Sequence, residues 1–179
     1  LSSIRNPNTN GAQLLGLCGN EPGAKLQQIA DGVSQGHIKA VVALQEDLTE
    51  AGFKASDLER LGALIVLDIL PNETTKRATT LLPSASFAEK RGSMINVKGR
   101  LQRLNRAIQP PGNAREDWEI LRDLIQQLTG ANGVYLIEDV FKQMAESVPQ
   151  FQGLSLSKIG DRGVLLEGVV AAAPVTASA

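Results

Sequence analysis

Two apolar runs end in carboxylates and amides, and these clusters are the groups best placed to hold a ligand. Ile38–Leu44 is followed by Gln45, Glu46 and Asp47; Leu61–Leu70 contains Asp68 and is followed by Asn72, Glu73, Thr74 and Thr75. If both runs are strands of an open α/β sheet, the clusters flank the crevice at the strands' carboxyl ends, where such sheets bind ligands, and a nucleotide is chemically reasonable there. Neither G-x-G-x-x-G nor G-x-x-x-x-G-K-[ST] occurs, and Glu46 and Asp47 repel phosphates, so the usual warrant for a dinucleotide or triphosphate is missing. A second cluster, Lys98, Arg100, Arg103 and Arg106, suits either an anionic cofactor or a partner's acidic face, or it is a solvated loop. Cys18 and His37 are each the sole residue of their type. That excludes an internal disulfide, a multi-cysteine zinc site and a cysteine-held iron–sulfur cluster built from this chain alone. No spacing joins His37 to a nucleophile, so no catalytic residue and no metal ligand is assigned.

The elements that must position these groups follow from periodicity. Leu26, Ile29 and Val33 share one helical face that Gly36 ends. Ile38–Leu44 is a nearly continuous apolar run of strand length, the pattern of a strand covered on both faces in a parallel sheet. Ser56-Asp57-Leu58-Glu59 has the order of a capping box and opens a short helix before the second apolar run. Thr79–Leu82 supplies a third short strand, ended by Leu82-Pro83, where proline removes a backbone donor. The stretch from Glu89 to Gly99 reads as an extended, turn-punctuated surface excursion. Asn113 caps a helix with Glu116 three residues on, and Trp118, Leu121, Ile125 and Leu128 form its apolar face before Gly130 and Gly133. Ile137, Phe141, Met144 and Val148 mark another helix that Pro149 ends, and Ile159 to Leu166 forms a small edge element. Alternating strand and helix signals give an α/β fold with a mainly parallel sheet and flanking helices, Rossmann-like, plus an extended loop region.

Length suits one domain with a real core, at 179 residues, and a formal net charge of −1 gives no global reason to expect a nucleic-acid partner. No apolar run approaches the roughly 20 residues of a membrane span, and the N-terminus lacks signal-peptide order, so direct membrane insertion is not expected. The chain begins at Leu1, which reads as a fragment of a longer protein. Residues 1–18 read as a linker or the edge of an upstream portion, 19–168 as the α/β domain, and 169–179 as a disordered tail rich in Ala, Val and Ser.

Leu82-Pro83, Phe87, Glu89-Lys90, Gly92, Asn96, Gly99-Arg100, Gln102, Pro110-Pro111-Gly112 and Ala114-Arg115-Glu116-Asp117-Trp118, in this order, resemble the molybdopterin oxidoreductase superfamily. The PPG…AREDW ending looks most like the large iron–sulfur subunit of respiratory complex I. The resemblance runs from about Gly19 to about Gly130. It implies an α/β domain from the C-terminal half of that large subunit, with iron–sulfur clusters in a separate N-terminal part and no cofactor in this portion.

Where catalytic members of the superfamily read Gly-x-Asn-Pro and seat the guanosine part of a pterin cofactor, this chain reads Leu44-Gln45-Glu46-Asp47-Leu48. Their threonine-glutamate-threonine element is approximated by Asn72-Glu73-Thr74-Thr75. The reading that follows is a structural and interaction module of an NADH:quinone oxidoreductase, itself redox-silent. It would contact other subunits of a respiratory complex, peripherally, on the cytoplasmic face of a bacterial inner membrane. The alternative is the pterin-guanosine-binding part of a molybdenum oxidoreductase such as formate dehydrogenase, with Glu46, Asp47, Asn72, Glu73 and Arg100 near molybdopterin guanine dinucleotide. A free-standing nucleotide-binding protein is the third reading.

Overall fold

The computed structural model describes residues 8–17 and 24–169. The described residues divide into two compact units: 8–17, 91–105 and 133–169 in one, and 24–90 and 106–132 in the other. From Arg91 onward the Glu89–Gly99 excursion belongs to the unit that holds the C-terminal helices.

The α/β unit runs α2 (Ala24–Ser34), β1 (Ala40–Leu44), α3 (Ala55–Leu58), β2 (Ala63–Asp68), β3 (Thr80–Pro83) and α4 (Asp117–Thr129). Its three strands are parallel in the order β1-β2-β3. Parallel strands cannot be joined by tight hairpins, which is why helical and turn segments separate these runs. On one face, Ala43, Leu64 and Val66 pack with Val33, Leu48, Phe53, Leu58 and Leu61 into a buried core. The opposite face is covered unevenly: Leu67 is fully buried in the central strand, while Val42 and Leu44 on edge strand β1 are 50% and 45% exposed. A continuous apolar run therefore overstated the cover on β1.

Two helix starts differ from the sequence reading. α3 begins at Ala55 behind Lys54 and has no side-chain cap, so the Ser56–Glu59 box does not form. α4 begins at Asp117 rather than after Asn113. The cause is a better backbone option: Arg115 donates to the Pro83 carbonyl at 3.1 Å and accepts from the Ala85 amide at 2.8 Å, extending the sheet by one parallel bridge. The buried face of α4 also shifts. Ile120 is buried, and with Leu124 it lines a groove against Leu82 and Pro83, whereas Ile125 and Leu128 point outward.

The second unit contains α1 (Thr9–Leu14), β4 (Gly92–Ile95), β5 (Arg100–Leu104), α5 (Ile137–Ser147), α6 (Leu156–Ile159) and β6 (Val164–Leu165). Its antiparallel sheet has the order β4-β5-β6. Part of the expected linker is therefore the helix α1, held where Asn8 accepts from the Ile95 amide and Asn10 donates to the Asn96 carbonyl, both at 2.9 Å. The β4–β5 turn is organised by Asn96, whose side-chain oxygen accepts from the amides of Lys98 and Arg100 at 2.9 and 3.0 Å. Gly99 closes that turn at φ +75°, and a Cβ there would lie 2.4 Å from the Val169 carbonyl oxygen. Ile95, Leu101, Ile137, Phe141, Val148, Phe151, Leu156, Ile159 and Leu166 are the buried hydrophobic residues described in this unit. The tail read from Val169 onward lies, beyond Val169 itself, outside the described residues, as do Cys18 and the linker's first seven positions.

Candidate functional site

The carboxyl ends of β1 and β2 bring Glu46, Asp47, Asn72 and Glu73 to one edge of the parallel sheet. Asp47 and Glu73 meet directly, because the Glu73 amide donates to the Asp47 carboxylate at 3.1 Å. The other Asp47 oxygen accepts from the Thr49 amide at 3.0 Å, the Thr49 hydroxyl at 2.7 Å and the Thr74 hydroxyl at 3.0 Å. Thr74 is fully buried and accepts in turn from the Leu48 amide at 2.8 Å. Asp47 is thus the keystone that binds the loop after β1 to the loop after β2.

Burial alone pushes the Asp47 carboxyl up, but the bonds from Thr49, Thr74 and Glu73 outweigh it and hold it down at about 2. A depressed carboxylate contributes stability above its unfolded value near 3.8 and loses it as pH falls toward about 2. The wild-type chain should therefore lose stability over that acid window, and Asp47→Asn should be less stable at neutral pH with a flatter acid limb. Urea midpoints measured between pH 2 and 7 test this; parallel curves for the two proteins would contradict the assignment.

Asn72 donates to Asp68 at 2.7 Å and accepts from the Thr75 amide at 2.9 Å. Glu73 pairs with Lys76 and, at 3.0 Å, with Arg77, which lowers its pKa. Three of the four edge residues thus build the loops, and Glu46, exposed, takes no part in that network. Arg100 belongs to the other unit, where its guanidinium donates to the carbonyls of Arg162 and Gly163 at 3.2 and 3.3 Å. The expected five-residue set is therefore split between units.

Sequence reasoning read the groups beyond the carboxyl end of β3 as a family signature and gave them no place in the site. Ser84 and Ala85 are buried there, and the Ser84 hydroxyl donates to Asp117 at the start of α4. Lys90 pairs with the same carboxylate at 2.5 Å. One residue earlier, Glu116 is 1% exposed and accepts from Arg106 and, at 3.0 Å, from the Trp118 indole N–H. The amides of Ala107 and Ile108 both donate to the Ala88 carbonyl, at 2.8 and 3.2 Å. So the two chain segments flanking the β4–β5 excursion run together, and adjacent carboxylates at the start of α4, Glu116 before it and Asp117 within it, clamp each of them. Lys90 and Arg106 lie apart in sequence from Glu116, Asp117 and Trp118, and the fold makes them one polar junction. The basic cluster likewise separates: Arg100 and Arg103 hold the segment before β6, Arg103 through Asp161 at 3.1 Å, and Arg106 holds Glu116.

This edge presents acceptors rather than free cations. Glu46 is an exposed acceptor, and the cations beside this edge, Lys76, Arg77 and Lys90, are already paired with Glu73 and Asp117. Among the described residues no cluster of His, Cys, Asp and Glu is arranged to hold a metal ion, and no helix is long and apolar enough to cross a membrane.

Comparison with known proteins gives a match to the family described as Molybdopterin oxidoreductase over residues 4–127. The NADPH-Fe(3+) oxidoreductase subunit alpha of Geobacter sulfurreducens is 36% identical over 162 residues, covering 88% of this chain and 19% of the relative. The F420-dependent formate dehydrogenase subunit alpha of Methanocaldococcus jannaschii is 35% identical over 109 residues, 60% of this chain and 16% of the relative. The assimilatory nitrate reductase catalytic subunit of Bacillus subtilis is 29% identical over 154 residues, 79% of this chain and 21% of the relative. The chain thus spans about a fifth of the length of these relatives. None of the three is a complex I subunit, the narrower identity that the PPG…AREDW ending suggested.

Proposed function

This chain belongs to the molybdopterin oxidoreductase family, and from that premise we propose that it is a portion of the large, catalytic subunit of a multisubunit molybdenum oxidoreductase of the formate dehydrogenase type. Its share of the work is to hold the guanosine end of the pterin cofactor at the carboxyl edge of β1-β2-β3. The observation that carries this reading is the parallel sheet of a family member ending in an exposed carboxylate, Glu46, above loops locked by Asp47, Asn72 and Glu73.

When bound, the cofactor supplies the metal at which a substrate is oxidised or reduced. The chain's own groups bind and orient: Glu46 accepts from the base, Asp47 fixes the loop that carries Glu46, and Asn72 and Glu73 fix the facing loop. A rigid loop matters because a carboxylate already in place loses little conformational entropy on binding. Glu46→Gln replaces one acceptor oxygen by a donor facing the base's N–H groups. In the parent subunit it should lower retained cofactor by roughly tenfold, the scale of one unmatched polar contact. Cofactor retention equal to wild type would remove Glu46 from the site.

One observation favours a second reading. The edge groups Asp47, Asn72 and Glu73 all have partners inside the chain, as a scaffold without cofactor requires. Under that reading the chain is an interaction module of an NADH:quinone oxidoreductase large subunit, contacting other subunits peripherally at the cytoplasmic face of a bacterial inner membrane. The names of the relatives above favour the first.

A further inference from the structure

The residue that begins the crevice, Gln45, is in an unusual state. It follows β1 directly, its amide continues the ladder to the Leu67 carbonyl at 2.8 Å, and its backbone has φ +50°, a region that favours glycine. In the described chain only Asn8 shares that property among non-glycine residues, and Asn tolerates it far better than Gln. A residue with a Cβ is disfavoured in this conformation, so something must hold it. The side chain shows what does. Its amide nitrogen lies 3.4 Å from the Ser84 hydroxyl, 3.3 Å from the Ala85 carbonyl and 3.3 Å from each Asp117 oxygen. Gln45 therefore reaches from the end of β1 past central β2 to the end of β3 and the start of α4, across the carboxyl edge of the whole sheet.

We propose that Gln45 is a latch on this edge, a specificity-determining residue whose amide takes the place of a ligand's amino group over Ser84, Ala85 and Asp117. The ligand class that displaces it is a heterocycle with an exocyclic amine beside a ring N–H, the donor pattern shared by guanine and pterin. The acceptors under the latch are fixed from behind: Lys90 holds Asp117, and Ser84 and Ala85 are buried in the sheet end. An amine that displaced the Gln45 amide would meet them preorganised. This inference rests on the reading of the carboxyl edge as the nucleoside end of a cofactor site.

The experiment titrates the full chain, wild type, Q45G and Q45N, with guanosine 5′-monophosphate by calorimetry, after circular dichroism confirms that all three fold. Both variants accept the left-handed backbone, and neither side chain spans the edge. The latch predicts affinity at least tenfold higher in both than in wild type. Equal affinity in all three, or binding by none, overturns it, as does a gain in Q45G alone, which assigns the effect to the backbone. Neopterin in a parallel titration separates the two sources of the amine: a gain for either heterocycle supports the latch and names which one the edge takes. Opening by both variants together with a molybdenum-free parent would refute the proposed function and leave the latch standing.

Discussion

Glu116→Ala should lower the stability of the α/β unit by about 3 kcal/mol, the scale for removing one partner of a buried ion pair. Glu116 is 1% exposed and both its oxygens are engaged, one by Arg106 and one by Trp118. Without it, the guanidinium stays half-buried with no counter-charge and the indole N–H loses its acceptor. Removing both charges, Arg106→Leu with Glu116→Leu, should cost clearly less than the two single losses added, since no charge is then stranded. Trp118 is the chain's single tryptophan and touches the altered group, so its fluorescence in urea reads the change directly. A loss below about 1 kcal/mol, the range of an exposed pair, would mean that the junction is wet rather than closed.

In the other unit the largest expected effect is that of Phe151→Ala, about 3–5 kcal/mol. Phe151 is 1% exposed and stacks on Phe141 with ring centroids 5.8 Å apart. It also lines an open pocket with Ile95, Leu101 and Met144, which truncation would deepen. Phe151→Leu should cost about half as much. Amide exchange of α5 is the readout, because Phe141 anchors that helix to Phe151; unchanged protection of α5 in Phe151→Ala would show that the helix is held by something else.

These two positions show what sequence can and cannot reveal. Apolar runs at Ile38–Leu44 and Leu61–Leu70 are visible because burial demands them, and they became β1 and β2. Ile137, Phe141, Met144 and Val148 announced α5 by spacing alone. The start of α4 was misplaced because a cap reads locally while the competing bridge between Ser84 and Arg115 is made with a strand distant in sequence. The apolar face of that helix was misread for a similar reason: which stripe is buried depends on where Leu82 and Pro83 lie.

At the candidate site, Asp47, Asn72 and Glu73 were legible as strand-end polar residues, but their partners were not. A carboxylate available to a ligand and one engaged by Thr49 and Thr74 are the same letter in sequence. Arg100 was placed near the cofactor only under the molybdenum oxidoreductase alternative, and its bonds to the carbonyls of Arg162 and Gly163 required the fold. The signature residues Lys90, Glu116, Asp117 and Trp118 were legible as a family label, and the structure supplies their physical reason: they close the polar junction beside α4.

The central claim, that this chain is the nucleoside-holding portion of a molybdenum-containing catalytic subunit, is tested most directly by metal analysis of the intact parent subunit purified from molybdate-supplied cells. The account predicts stoichiometric molybdenum together with guanosine monophosphate released on acid hydrolysis. A folded parent subunit containing neither would contradict it.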